Sequence, residues 1–284
     1  MANFFDGFFR DFYHSTKAGK ATFPRIDEIP YYFTWPLTVF LNKLNIHPIR
    51  IVFSSMLFGV LFLVLLVSNH PLFHTALPST ILLLRILLDY TDGQLARHSN
   101  KTSNLGALYD LVADFIFTLL LFGSIAFCLI ARDSISAWLA IPVCILAFFS
   151  NVITATTASF TVRLSTNEHN SQEDAAQEFI CHFANDYPSD LVYAKKIHYL
   201  NLIFHYSWRF ISVVLFSLLI RNIRFRNYMA ASHLFSIFAN SMHLFVLIIF
   251  MMLDASLLYF CFYEILLFGL HCLFLLFYKL FSVR

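Results

Sequence analysis

Apolar runs of about the length that crosses a bilayer recur along most of this chain, and nothing else constrains its fold as strongly. Crossing roughly 30 Å of hydrocarbon takes about twenty helical residues. Runs near that length lie at about 49 to 68, 72 to 90, 105 to 131 and 135 to 160, with further ones at about 205 to 220, 229 to 253 and 256 to 281. The expected architecture is an all-α, polytopic membrane bundle of six or seven transmembrane spans. Composition agrees: 59% of the 284 residues are hydrophobic and 13% are charged, against roughly 25% charged in an ordinary soluble domain.

Residues 1–48 read as an amphipathic interfacial region, and residues 49–284 as the membrane domain. Phe4, Phe5, Phe8, Phe9 and Phe12 form an aromatic stripe at helical spacing, with Asp6, Arg10 and Asp11 on the same segment. Such a helix lies in the headgroup boundary. A second surface helix follows, carrying the interface residues Tyr31, Tyr32 and Trp35, with Pro30, Pro36 and Pro48 expected as breaks. Lys and Arg crowd the segment before the first span, and Arg97 and Lys101 occupy the turn after the second. That bias sets the amino terminus and this turn on the cytoplasmic side. The one long polar stretch, about 162 to 203, reads as a cytoplasmic connection.

Net charge is only +2, too little for a nucleic-acid-binding field. The five cysteines show no C-x-x-C spacing, so they suggest neither a disulfide framework nor a zinc site.

Against this background residues 87 to 115, LLDYTDGQLARHSNKTSNLGALYDLVADF, stand out by holding four aspartates. Ionisable groups in a membrane segment are costly and mark functional sites. Asp89 and Asp92 are three apart near the end of one span, and Asp110 and Asp114 are four apart near the start of the next, so each pair shares a helix face. A short turn makes the two helices antiparallel neighbours and lets the pairs converge. Four carboxylates in one pocket cannot all stay charged without cations. Hard oxygen donors lacking histidine or thiolate suit Mg²⁺ or Mn²⁺, and four of them suit a pair of ions. Gly93 and Ala96 remove bulk beside Asp92, Gly106 permits close helix packing, and Arg97 can reach phosphate oxygens with its fork of donors.

The stretch DYTDGQLARHSNKTSNLGALYDLVAD, residues 89 to 114, resembles the signature D-x2-D-G-x2-A-R-x8-G-x3-D-x3-D of the CDP-alcohol phosphotransferase (CDP-alcohol phosphatidyltransferase) family at every fixed position. The resemblance implies transfer of a phosphorus-linked group from a CDP-alcohol to an acceptor hydroxyl, with release of CMP, on a fold of usually six spans that tends to form homodimers. By matching position Asp89, Asp92 and Asp110 are metal ligands, and Asp114 is both a ligand and the general base. Arg97 holds the diphosphate, Gly93 and Ala96 line the cytidine slot, and Gly106 lets the two helices approach.

The acceptor stays open at this level. Arg85 shares a helix face with Asp89, Asp92 and Ala96, and either pairs with Asp89 or binds an acceptor phosphate. Arg163 is a further candidate for the acceptor pocket, whereas Glu168, Glu173, Asp174 and Glu178 suit a cationic acceptor or simply a solvated loop. The favoured reaction is phosphatidyl transfer from CDP-diacylglycerol to a small polar alcohol in phospholipid biosynthesis. The membrane is a bacterial inner membrane or the endoplasmic reticulum. A CDP-choline or CDP-ethanolamine phosphotransferase using diacylglycerol is the near alternative, and a cation-coupled transporter the alternative of a different class. His243, Asp254, Glu264 and His271 in the later spans serve either as a proton or ion path or as packing and interhelical hydrogen bonds.

Overall fold

A computed structural model describes Phe12 and residues 29–68, 76–102, 104–166 and 240–281. Among the described residues there are seven helices and no strand: α1 (Ile29–Lys43), α2 (Pro48–Val67), α3 (Ala76–His98), α4 (Asn104–Ala131), α5 (Ala137–Thr166), α6 (Asn240–Met252) and α7 (Leu257–Phe281). Among the described residues four segments are long and apolar enough to cross a membrane: Pro48–Val67, Val112–Ala131, Ala137–Ala155 and Leu257–Phe277. This is the helical architecture of an integral membrane protein. α3 has 23 residues but carries Arg85, Asp89, Asp92 and Arg97. The run at about 205 to 220, the start of the one at about 229 to 253, the polar stretch beyond residue 166 and Phe4 to Phe9 lie outside the described residues.

Helix ends follow local chemistry. At α2, Pro48 occupies the first turn, where its missing N–H costs nothing, and the His47 ring accepts from the Ile49 amide at 3.4 Å. α1, α3 and α6 end on left-handed residues that are not glycine: Asn45 (φ 52°), Asn100 (φ 52°) and Asp254 (φ 50°). Beyond each, the next amide returns to a carbonyl five residues back, Ile46 to Leu41, Lys101 to Ala96 and Ala255 to Phe250. These are Schellman ends, with short Asn and Asp side chains tolerating a backbone that usually calls for glycine.

Pro36, expected as a break, lies inside α1. Its ring is on the exposed side, while Thr34 and Thr38 on the buried side are tied to Gln94 of α3. Those bonds fix the turns on both sides of the proline, so the amide it lacks does not end the helix. Phe12 is buried, 4.7 Å from the Tyr32 ring and 5.5 Å from that of Trp35, so at this position the aromatic stripe meets protein.

The chain divides into two compact units, residues 1–152 with 240–266 and residues 153–239 with 267–284. In the first, α3 packs against α1, α2 and α6, and α2 also packs against α4. Phe62, Leu82, Ile86, Leu121, Ile125, Leu129, Leu247 and Phe260 are fully buried there. The outward faces are as apolar as the core; on α2, Phe53, Leu57, Val60 and Val64 lie exposed along one stripe. A lipid solvent accounts for that, since soluble monomers rarely expose such patches. In the second unit, Leu267, His271 and Leu275 of α7 are buried.

Candidate active site

α3 carries the first half of the aspartate window and stops at His98, and α4, beginning at Asn104, carries the second. Asp89 and Asp92 therefore sit in the second half of one helix, and Asp110 and Asp114 in the first half of the next. One carboxylate oxygen from each of Asp89, Asp92 and Asp110 lies within 4.8 Å of the others. Asp92 is buried, and Asp89 and Asp110 are half-buried. Two ligands on opposite sides of a Mg²⁺ ion stand about 4.2 Å apart, so modest side-chain rotation brings this trio onto one cation. The all-oxygen donor set fits Mg²⁺ or Mn²⁺ better than zinc or copper.

Asp114 stands outside that trio. Its Oδ1 accepts from Nη2 of Arg85 at 2.6 Å. Arg85 thus pairs across to Asp114 on α4 instead of with Asp89 on its own helix. The Arg85 side chain is only 4% exposed and that of Asp114 28% exposed, and the guanidinium carbon lies 3.8 Å from the centroid of the Phe117 ring.

Gln94, one residue after the motif glycine, turns away from the carboxylates into the contact with α1. Its Oε1 accepts from the hydroxyls of Thr34 and Thr38, each at 2.9 Å, and its Nε2 donates to the Tyr31 carbonyl at 3.3 Å. Tyr31 in turn packs edge-on against Tyr90, with centroids 4.9 Å apart, and its ring centroid lies 5.5 Å from the Arg97 guanidinium carbon. α1 thereby braces the carboxyl-terminal half of α3. Sequence reasoning missed Gln94, although a polar residue between Gly93 and Leu95 facing Thr34 and Thr38 was a usable signal.

Gly93, Ala96 and Arg97 are half-buried on α3. A Cβ added at Gly93 would lie 3.4 Å from Nη1 of Arg97, so the missing side chain leaves the motif guanidinium directly over backbone. Gly106 falls in the first turn of α4 and Arg163 near the end of α5; their side-chain surroundings lie outside what the structure describes.

A second polar group lies in the first unit. Oε2 of Glu264 on α7 is 2.7 Å from Nδ1 of His243 on α6 and accepts from Nδ2 of Asn151 on α5 at 3.2 Å. All three side chains are buried. Asp254 instead forms the exposed end of α6, and His271 belongs to the second unit. The later polar residues therefore divide into an interhelical hydrogen-bond group, a helix end and a separate buried histidine.

The model of the CDP-alcohol phosphatidyltransferase family matches residues 45–184. No curated protein and no solved structure matches the chain.

Proposed function

Residues 45–184 belong to the CDP-alcohol phosphatidyltransferase family, whose reaction is phosphatidyl transfer from a CDP-alcohol, and from that premise we propose that this chain transfers the phosphatidyl group of CDP-diacylglycerol to a small polar alcohol with release of CMP. The observation that carries the reading is the convergence of Asp89, Asp92 and Asp110 within 4.8 Å, on the two helices that hold the family signature. In this reading Asp89, Asp92 and Asp110 hold two divalent cations, Mg²⁺ or Mn²⁺, with Asp114 completing the set.

When bound, such ions neutralise the diphosphate and the charge that develops on the leaving CMP. The chain's own residues do the rest. Arg97 binds diphosphate oxygens through its planar fork. Gly93 and Ala96, small and half-buried, leave a slot for the cytidine, and Gly106 lets α4 approach α3. Asp114, with part of its carboxylate surface open, takes the proton of the acceptor hydroxyl as the new P–O bond forms and the bond to CMP breaks. The acyl tails stay in the bilayer while the headgroup chemistry proceeds at the cytoplasmic edge. The enzyme works as a homodimer, as the family resemblance implies.

Purified protein in lipid vesicles, given CDP-diacylglycerol, Mg²⁺ or Mn²⁺ and a panel of glycerol 3-phosphate, inositol, inositol phosphate and serine, is expected to release CMP with one acceptor. Release only with CDP-choline or CDP-ethanolamine plus diacylglycerol moves the assignment to the neighbouring reaction. No CMP from any combination, with cation uptake into the vesicles instead, replaces the enzyme by a transporter.

A further inference from the structure

The ion pair between Arg85 and Asp114 is built into a slot formed by three helices. α3 supplies Arg85, buried at 3% exposure. α4 supplies Asp114 and, three residues later on the same face, Phe117, whose ring lies 3.8 Å from the guanidinium carbon. α2 supplies an absence: a Cβ at Gly59 would fall 3.0 Å from Cδ2 of Phe117, 3.2 Å from Nε of Arg85 and 3.3 Å from its Cδ. One helical turn before Gly59, the Ser55 hydroxyl reaches the Arg85 carbonyl at 3.4 Å and ties α2 to α3 at this level.

A surface arginine gives up much rotamer entropy to hold one geometry, so its ion pairs contribute little. Here that entropy is already lost to packing: glycine on one side and an aromatic face on the other leave the side chain one path, which ends on Oδ1 of Asp114. A guanidinium stacked on a ring and joined to a carboxylate is also a partnership that lysine reproduces only in part, keeping the charge but not the planar fork. The same burial argues against Arg85 reaching an acceptor phosphate.

We propose that Arg85, clamped between Gly59 and Phe117, is a positioning residue that fixes the orientation of the Asp114 carboxylate while leaving its second oxygen for the acceptor hydroxyl. The proposal rests on the CDP-alcohol reading, in which Asp114 is the base. It adds that the geometry of the base is set from α2 and α3, by residues that touch no substrate.

The test is steady-state CMP release by the full chain in lipid, with wild type, Arg85→Gln, Arg85→Lys, Gly59→Ala, Asp114→Asn and the Arg85→Gln/Asp114→Asn double variant. Arg85→Gln is expected to lower kcat about 10- to 100-fold, the range that misplacement of a reacting group by about 1 Å produces. KM for both substrates should stay within about twofold, because positioning acts on the chemical step and not on ground-state binding. Arg85→Lys should regain part of kcat. Gly59→Ala, pressing on Arg85 and Phe117, should lower kcat in the same way by a smaller factor. The double variant should be no slower than Asp114→Asn alone, since the two residues act as one unit.

A raised acceptor KM with kcat intact would show Arg85 binding the acceptor and overturn the proposal. So would multiplicative losses in the double variant, or unchanged kcat in both Arg85→Gln and Gly59→Ala. Should Arg85→Gln fail to fold, as judged by loss of its thermal transition, the Arg85→Lys and Gly59→Ala results decide by the same criteria. Absence of CMP release from wild type itself would instead overturn the parent reading, so the two failures are distinguishable.

Discussion

Two polar groups inside this apolar chain meet burial in opposite ways. At the junction of α3 and α4, three aspartate oxygens crowd together with carboxylate surface still open on Asp89, Asp110 and Asp114. Between α5, α6 and α7, one oxygen of Glu264 takes both His243 and Asn151, and all three side chains are sealed from solvent. The first arrangement concentrates like charge on side chains that keep exposed surface. The second gives a buried carboxylate neutral or oppositely charged partners, the usual way polar groups join helices in a membrane. An ionisable residue in a span marks a functional site by default, but exposure and the sign of its neighbours decide which of these two roles it plays.

That contrast breaks most sharply on activity. Asp114→Asn should lower CMP release at least about 100-fold, as loss of a general base does, whereas Glu264→Gln should leave CMP release close to wild type in the same vesicle assay. A comparable collapse in Glu264→Gln would erase the distinction. Stability should order the two groups the other way. Replacing Gln94 by Ala removes an amide that holds Thr34, Thr38 and the Tyr31 carbonyl, and should cost about 1–3 kcal/mol by the desolvation of groups left unpaired, read as a lowered unfolding midpoint in detergent. Glu264→Ala should cost about 1–2 kcal/mol, the range for interhelical polar contacts in model membrane peptides. The smallest effect belongs to Ser241→Ala, which removes the contact between the Ser241 and Tyr90 hydroxyls joining α6 to α3, at roughly 0.6 kcal/mol. If the thermal scan finds Asp92→Asn more destabilising than Glu264→Ala, the acidic trio is holding the fold together, contrary to this account.

What the sequence made legible was what depends on local periodicity or on fixed spacing. Apolar run length located α2, α4 and α7 to within a residue and the start of α5 to within two, and of the four aspartates that the spacing brought together the structure joins Asp89, Asp92 and Asp110 and turns Asp114 to Arg85. What depends on how one helix is rotated against another was not legible. The position of Arg85, four before Asp89, made an intrahelical pair look natural. Its partner on α4 follows from the space left by Gly59 on α2 and the ring of Phe117, neither of which carries a motif. Helix ends without glycine were equally hidden, because Asn45, Asn100 and Asp254 read as ordinary polar residues until the backbone shows them left-handed. Pro36 misled for a related reason: its helix-breaking tendency is local, and the hydrogen bonds through Gln94 that override it come from residues far along the chain.

The central claim is that the α3 and α4 carboxylates hold divalent cations for chemistry on a CDP-alcohol. Electron paramagnetic resonance of Mn²⁺ added to the metal-stripped protein in lipid, with CMP release followed in the same samples, tests it most directly. The account predicts bound Mn²⁺ in wild type, strongly weakened binding in Asp92→Asn, and CMP release that falls in parallel. Undiminished Mn²⁺ binding in Asp92→Asn, or full CMP release after chelation of all divalent cations, would contradict it.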